Sequence, residues 1–154
     1  MRMFVVAAAL VAGMAFGIAQ AEDRGVEALN GTWTVDVEKT YEAVSKSPDF
    51  AGLPAEQKAM MEKEMKSQMA AMVVIIEEST ITMKIEGNDE SEQVMDFEVV
   101  SHEGDKWTIK TTDRRDEGEE PAEPDTVTIE WSDDDHMSMA KEGDPVAMFL
   151  VRKE

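Results

Sequence analysis

Leu29-Asn30-Gly31-Thr32-Trp33-Thr34-Val35-Asp36-Val37 is the stretch whose reading decides the fold. After the glycine it alternates, with Trp33, Val35 and Val37 on one side and Thr32, Thr34 and Asp36 on the other. A period of two marks an extended strand with one face buried and one in water. The same period returns in Ile81/Met83/Ile85, Met95/Phe97/Val99, Trp107/Ile109, Val127/Ile129/Trp131 and Met137/Met139. Thr82, Lys84, Asp96, Glu98, Thr108, Lys110, Thr128 and Glu130 take the opposite parity. One-sided burial of this kind belongs to antiparallel sheets. Val73–Glu77 and Val146–Arg152 are more continuously apolar, as in strands covered on both sides.

Turn chemistry separates these runs. Glu86-Gly-Asn-Asp-Glu90, Ser101-His-Glu-Gly-Asp105 and Glu142-Gly-Asp-Pro145 are compact and contain glycine, as hairpins need. Glu77-Glu78-Ser79 reads as a tight reversal or a bulge, and Asp133-Asp134-Asp135 as a polar turn. Residues 113–125, with two arginines, four glutamates and two prolines, read as a longer mobile loop. Eight short strands at regular spacing read as a barrel or sandwich. The prediction is a mainly β fold, an antiparallel up-and-down β-barrel of about eight strands.

One stretch, residues 39–72, breaks the alternation and reads as a two-helix insertion between strands 1 and 2. Lys39–Lys46 forms the first helix, stopped near Ser47-Pro48. The second begins at Pro54, a favoured first-turn residue, and runs to about Met72. Met61, Met65, Met69 and Met72 recur at spacings of four, four and three, opposed by Glu62, Lys63, Lys66 and Gln68. The stripe has three readings: packing against the barrel, a lid over its mouth, or soft-metal thioether ligation. Packing is the default for an amphipathic helix, and the lid is a special case of it.

Outside that core, the N-terminus and the charge balance set the compartment and the partners. Residues 1–21 carry Arg2, an apolar run from Phe4 to Ile18 and the small-x-small pattern Ala19-Gln20-Ala21. They read as a signal peptide cleaved after Ala21, leaving residues 22–154 as one exported, periplasmic or secreted domain without a membrane anchor. Lys+Arg number 15 against 34 Asp+Glu, a formal charge of −19. So acidic a surface repels nucleic-acid phosphates and anionic lipid, which removes both as partners. The absence of cysteine excludes disulfides, cysteine-ligated metals and thiol nucleophiles.

The opening strand resembles that of the calycin superfamily, the lipocalins and fatty-acid-binding proteins. In those families Gly-x-Trp begins the first strand and an arginine near the end of the last strand packs over the tryptophan. The matching residues here are Gly31, Trp33 and Arg152. Two helices after strand 1 are similar to the pair that lids fatty-acid-binding proteins, and bacterial exported lipocalin-like domains share this layout. The resemblance implies an indole plug at one end of the barrel and a small-molecule cavity within it. Those relatives capture a fatty-acid carboxylate with arginine and tyrosine on their final strands, whereas the one tyrosine here, Tyr41, lies in the first helix. A neutral apolar or amphipathic ligand fits better, since an unpaired carboxylate is costly to bury.

An eight-stranded barrel encloses a space that side chains just fill or that holds one small molecule. The inward candidates for ligand contact are Met83, Met95, Phe97, Trp107, Ile109, Ile129, Trp131, Met137 and Met139, with Met61, Met65, Met69 and Met72 as the candidate lid. Methionine adapts its shape to varied apolar partners. The competing reading is a filled barrel whose acidic exterior meets a basic protein partner. The runs Asp133-Asp-Asp-His136 and 113–125 lack EF-hand spacing and read as solvated charge, so no metal site is assigned. No nucleophile–base pattern or Gly-x-Ser-x-Gly elbow occurs, and neither an enzyme nor a cofactor is expected.

Overall fold

The structure, a computed structural model, describes residues 25–114, 119–120 and 122–154. The expected signal peptide and its cleavage point after Ala21 lie outside these residues, as do positions 115–118 and 121 of the expected 113–125 loop. A 3-10 turn at Val26–Leu29 leads into β1 (Gly31–Val35), followed by helices α1 (Val37–Ser45), α2 (Pro48–Ala51) and α3 (Ala55–Ala71). Seven further strands follow: β2 (Met72–Glu77), β3 (Thr80–Ile85), β4 (Asn88–Glu103), β5 (Lys106–Asp113), β6 (Asp125–Trp131), β7 (His136–Lys141) and β8 (Met148–Arg152).

The eight strands form a closed antiparallel barrel in chain order, with β8 returning to pair β1. Closure leaves no unpaired sheet edge to template aggregation. The register places Trp33 opposite Val74 on β2 and opposite Arg152 on β8. Inward parity then carries Trp33, Val74, Ile109, Ile129, Met137 and Leu150 into one buried cluster. Two rims result. One gathers the start of β1, the β2–β3, β4–β5 and β6–β7 turns and the end of β8. The other gathers the helices, the β3–β4 turn, the end of β5, the start of β6 and the β7–β8 connection.

Several local expectations need correction. There are three helices rather than two, because Ser47-Pro48 starts a helix instead of stopping one. The Ser47 hydroxyl accepts from the Phe50 N–H at 3.4 Å, and Pro48 sits in the first turn of α2. A serine cap followed by proline is a start signal. Val37 opens α1 rather than ending β1, since the Asp36 carboxylate accepts from the Lys39 N–H at 3.2 Å and caps that helix. Met72 opens β2 opposite Ile85 and is not on the helix. Glu77-Glu78-Ser79 is a reversal, with Glu78 at φ 50° and its N–H held by the Asn30 side-chain oxygen at 3.0 Å.

Helix α3 departs most from its reading. None of its residues is buried, and Met60 and Met61 are 74% and 40% exposed. Lys66, expected to face water, instead turns to α1. It pairs with Glu38 at 3.3 Å and Glu62 at 3.2 Å, and its ammonium stands 4.7 Å from the Tyr41 ring centroid. Of the stripe Met61, Met65, Met69 and Met72, Met69 on the helix and Met72 at the start of β2 pack on the core cluster.

The insertion is tied to the barrel through α1. The Asp36 N–H donates to the Phe149 carbonyl at 2.8 Å, and the buried Thr40 hydroxyl accepts from the Phe149 N–H at 3.0 Å. Thr40→Val keeps the shape but leaves that N–H unpartnered, a loss of about 1–3 kcal/mol. Chemical denaturation is expected to register that loss for Thr40→Val and little change for Thr40→Ser. Equal stability of wild type and Thr40→Val would remove this tie.

Candidate functional site

The two rims of the barrel differ in how they are filled. At the first, Leu29 and Trp33 are fully buried. The Trp33 indole N–H donates to the Leu29 carbonyl at 3.0 Å, and its ring meets Trp131 edge-on with centroids 5.6 Å apart. The Arg152 guanidinium lies 4.3 Å from the Trp33 ring centroid. It also donates to the carbonyls of Asn30 at 2.9 Å and Ala28 at 2.8 Å, tying down the strand entry and the preceding turn. Gly31, at φ +140°, makes room for it: a Cβ there would stand 2.8 Å from Arg152 Nη1. Trp107 is buried beside this layer, its ring 5.3 Å from His102. Gly31, Trp33 and Arg152 thus meet in one plug, with an arginine–indole contact of roughly 0.5–2 kcal/mol.

The β6–β7 turn stands beside the plug. There the Asp133 carboxylate accepts from His136 Nδ1 at 2.7 Å and from the Asp135 N–H at 2.9 Å. The His136 hydrogen bond holds the Asp133 carboxyl below its ordinary value. These bonds are internal to the turn.

At the opposite rim the described residues leave a space inside the barrel. A cavity of about 210 Å³ is walled by apolar side chains, chiefly Ile81, Met83, Met95, Val127, Met139 and Met148. Among the described residues Thr111 supplies the one hydroxyl, and Asp125, Lys141 and Asp144 stand at the mouth. Lys141 pairs with Asp125 at 2.9 Å, and the Asp144 carboxylate accepts from the Val146 N–H at 3.0 Å. A small interior with apolar walls and a few polar groups at one edge has the make-up of a small-molecule site.

A larger depression of about 620 Å³ lies outside the first rim, around Asn30, Glu77, Glu78 and Arg114. Its walls mix Asn30, Thr32, Glu77, Glu78 and Ser79 with Ile75 and Ile76. Arg114 there is engaged by Asp96 at 2.6 Å, and that hydrogen bond holds the Asp96 carboxyl below its usual range. Size alone does not make it the better site, because it lies outside the barrel and its lining is more polar than apolar, the reverse of the methionine-walled cavity.

Of the nine inward candidates, Met83, Met95 and Met139 line the cavity. Phe97, Trp107, Ile109, Ile129, Trp131 and Met137 are buried in the packed core instead. None of Met61, Met65, Met69 and Met72 lines the cavity, whose walls come from β3 to β8. Met148, Val127, Ile81 and Thr111 were not among the candidates. Parity would have found three of them: Ile81 and Val127 share a face with Met83 and Ile129, and Thr111 is two beyond Ile109, whereas the inward face of Met148 is fixed by its pairing with Met139. No protein-family model, curated protein or solved structure matches the chain.

The plug makes a stability prediction. Arg152→Met removes the ring contact and both carbonyl bonds, and is expected to cost about 2–4 kcal/mol. Arg152→Lys should recover only part, since an ammonium lacks the planar fork that reaches both carbonyls. Gly31→Ala should be destabilised as well, through its backbone angle and the displaced guanidinium. Urea unfolding of the three variants checks this, and an Arg152→Met protein as stable as wild type would contradict the plug.

Proposed function

We propose that the protein is a non-enzymatic, exported, lipocalin-like carrier that holds one small uncharged apolar or amphipathic molecule at the open rim of its barrel. The observation that carries this reading is the cavity walled by Met83, Met95, Met139 and Met148. Flexible, polarizable thioethers adapt to ligand shape, and a pocket lined by them accommodates an apolar guest at low strain. The Arg152–Trp33–Gly31 plug supports the calycin resemblance at the other end, and the leader-like residues 1–21 support export. The polar groups around the cavity suit orientation rather than catalysis, because Asp125 and Lys141 are engaged with each other.

Methionines give a direct readout, because they populate the cavity, the packed core and the exposed helix alike. In NMR spectra of the full chain carrying 13C-methyl methionine, an apolar guest is expected to shift Met83, Met95, Met139 and Met148. Met137, in the packed core, and Met60, on exposed α3, should stay in place. Guests that shift none of the cavity methyls, or that shift Met60 alone, would favour the rival reading of a filled barrel with an acidic partner-binding surface.

A further inference from the structure

The arrangement of the cavity walls narrows the class of guest, on the carrier reading above. Met83 and Met95 stand on the adjacent strands β3 and β4, with Met95 opposite Ile81 and Met83 opposite Gln93. Met139 and Met148 face each other directly on β7 and β8. In an eight-strand barrel of sequential order, β3–β4 and β7–β8 lie half a circuit apart. The thioethers therefore occupy two opposed walls, with Thr111 and Val127 between them on β5 and β6.

A slot with sulfur on both sides suits a flat ring, since thioethers make favourable contacts with aromatic edges and faces. Size agrees. An apolar cavity of about 150 Å³ takes benzene, so the roughly 210 Å³ here admits a ring with a few further atoms, about eight or nine heavy atoms in all. The cavity is too small for a long acyl chain, whose remaining methylenes would stay in water and add nothing.

Polarity agrees as well. Thr111, only 5% exposed, is the one uncharged polar side chain on the wall among the described residues. A guest with a single hydroxyl or ring N–H can satisfy that hydroxyl inside the barrel. At the mouth the Lys141 ammonium is already paired with Asp125, and Asp144 adds a second carboxylate, so an anionic guest meets net negative charge. We infer that the cavity takes an uncharged small aromatic molecule carrying one hydroxyl or ring N–H, of the size of p-cresol or indole.

Titration calorimetry of the full chain with p-cresol, indole, toluene, benzoate and hexadecanol tests this. p-Cresol and indole are expected to bind, with benzoate at least tenfold weaker. Hexadecanol should bind no more tightly than p-cresol. Thr111→Val should weaken p-cresol about threefold to tenfold while leaving toluene unchanged, and Thr111→Ser should restore it. Val127→Phe, which fills the slot, should abolish binding of every guest and serves if Thr111→Val does not fold. Hexadecanol binding tenfold tighter than p-cresol, or benzoate binding as tightly, would overturn the assigned class and leave the carrier reading standing. Equal loss of toluene and p-cresol in a folded Thr111→Val protein would overturn the role of the hydroxyl. Binding of no guest at all would overturn the carrier reading itself.

Discussion

Closing eight strands on themselves fixes an interior volume, and every other feature of the chain depends on how that volume is filled. At one rim it is filled with large rigid rings, Trp33 against Trp131 with Trp107 beside them, and sealed by Arg152. Arg152 does several things at once from one position. It covers the indole face, holds two carbonyls of the entering chain, and sits where Gly31 leaves it space. At the other rim the inward positions carry Met83, Met95, Met139 and Met148, long unbranched side chains that do not lock into a rigid layer. The same parity rule thus yields a packed half and a loose half.

The distribution of stability follows from that division. The rigid half gathers most of the fully buried side chains, including Leu29, Trp33, Ile76 and Ile129, while Ile81 reaches the cavity wall. The open half keeps its inward methionines half-buried around a void, which lowers local packing density and with it the local cost of admitting a guest. The helices do not compensate by capping the mouth. Helix α3 leans on α1 through Lys66, Glu38 and Tyr41, and α1 is pinned to β8 by Thr40 and Phe149. The insertion is a buttress on one side of the barrel, and none of its residues is among those that line the cavity.

Alternation made the strands legible in the sequence, and it made the inward face legible too. Trp33, Ile109, Ile129 and Met137 all point where their parity places them. What alternation cannot carry is height along the barrel axis. Phe97 and Met95 share a face, yet one is in the packed core and the other on the cavity wall, because register and strand tilt set depth. A different limit holds for Met148: its run is apolar on both parities, so its face is set only by the pairing of β8 with β7. In the insertion, composition misled in a different way. Ser47-Pro48 carries both stop and start chemistry, and the cap on Phe50 decided for a start. Lys66 looked like a water-facing charge, but Glu38 and the ring of Tyr41 on the neighbouring helix provide it a partly covered place.

The central claim is that this barrel is solid at the Trp33 rim and hollow at the methionine rim. Xenon enters apolar voids of this size without needing any specific chemistry, so crystals pressurised with the gas test the claim most directly. The account predicts one xenon site, in contact with Met83, Met95, Met139 and Met148, and none among Trp33, Trp107 and Trp131. A barrel that takes up no xenon, or that takes it up beside Trp33, would contradict it.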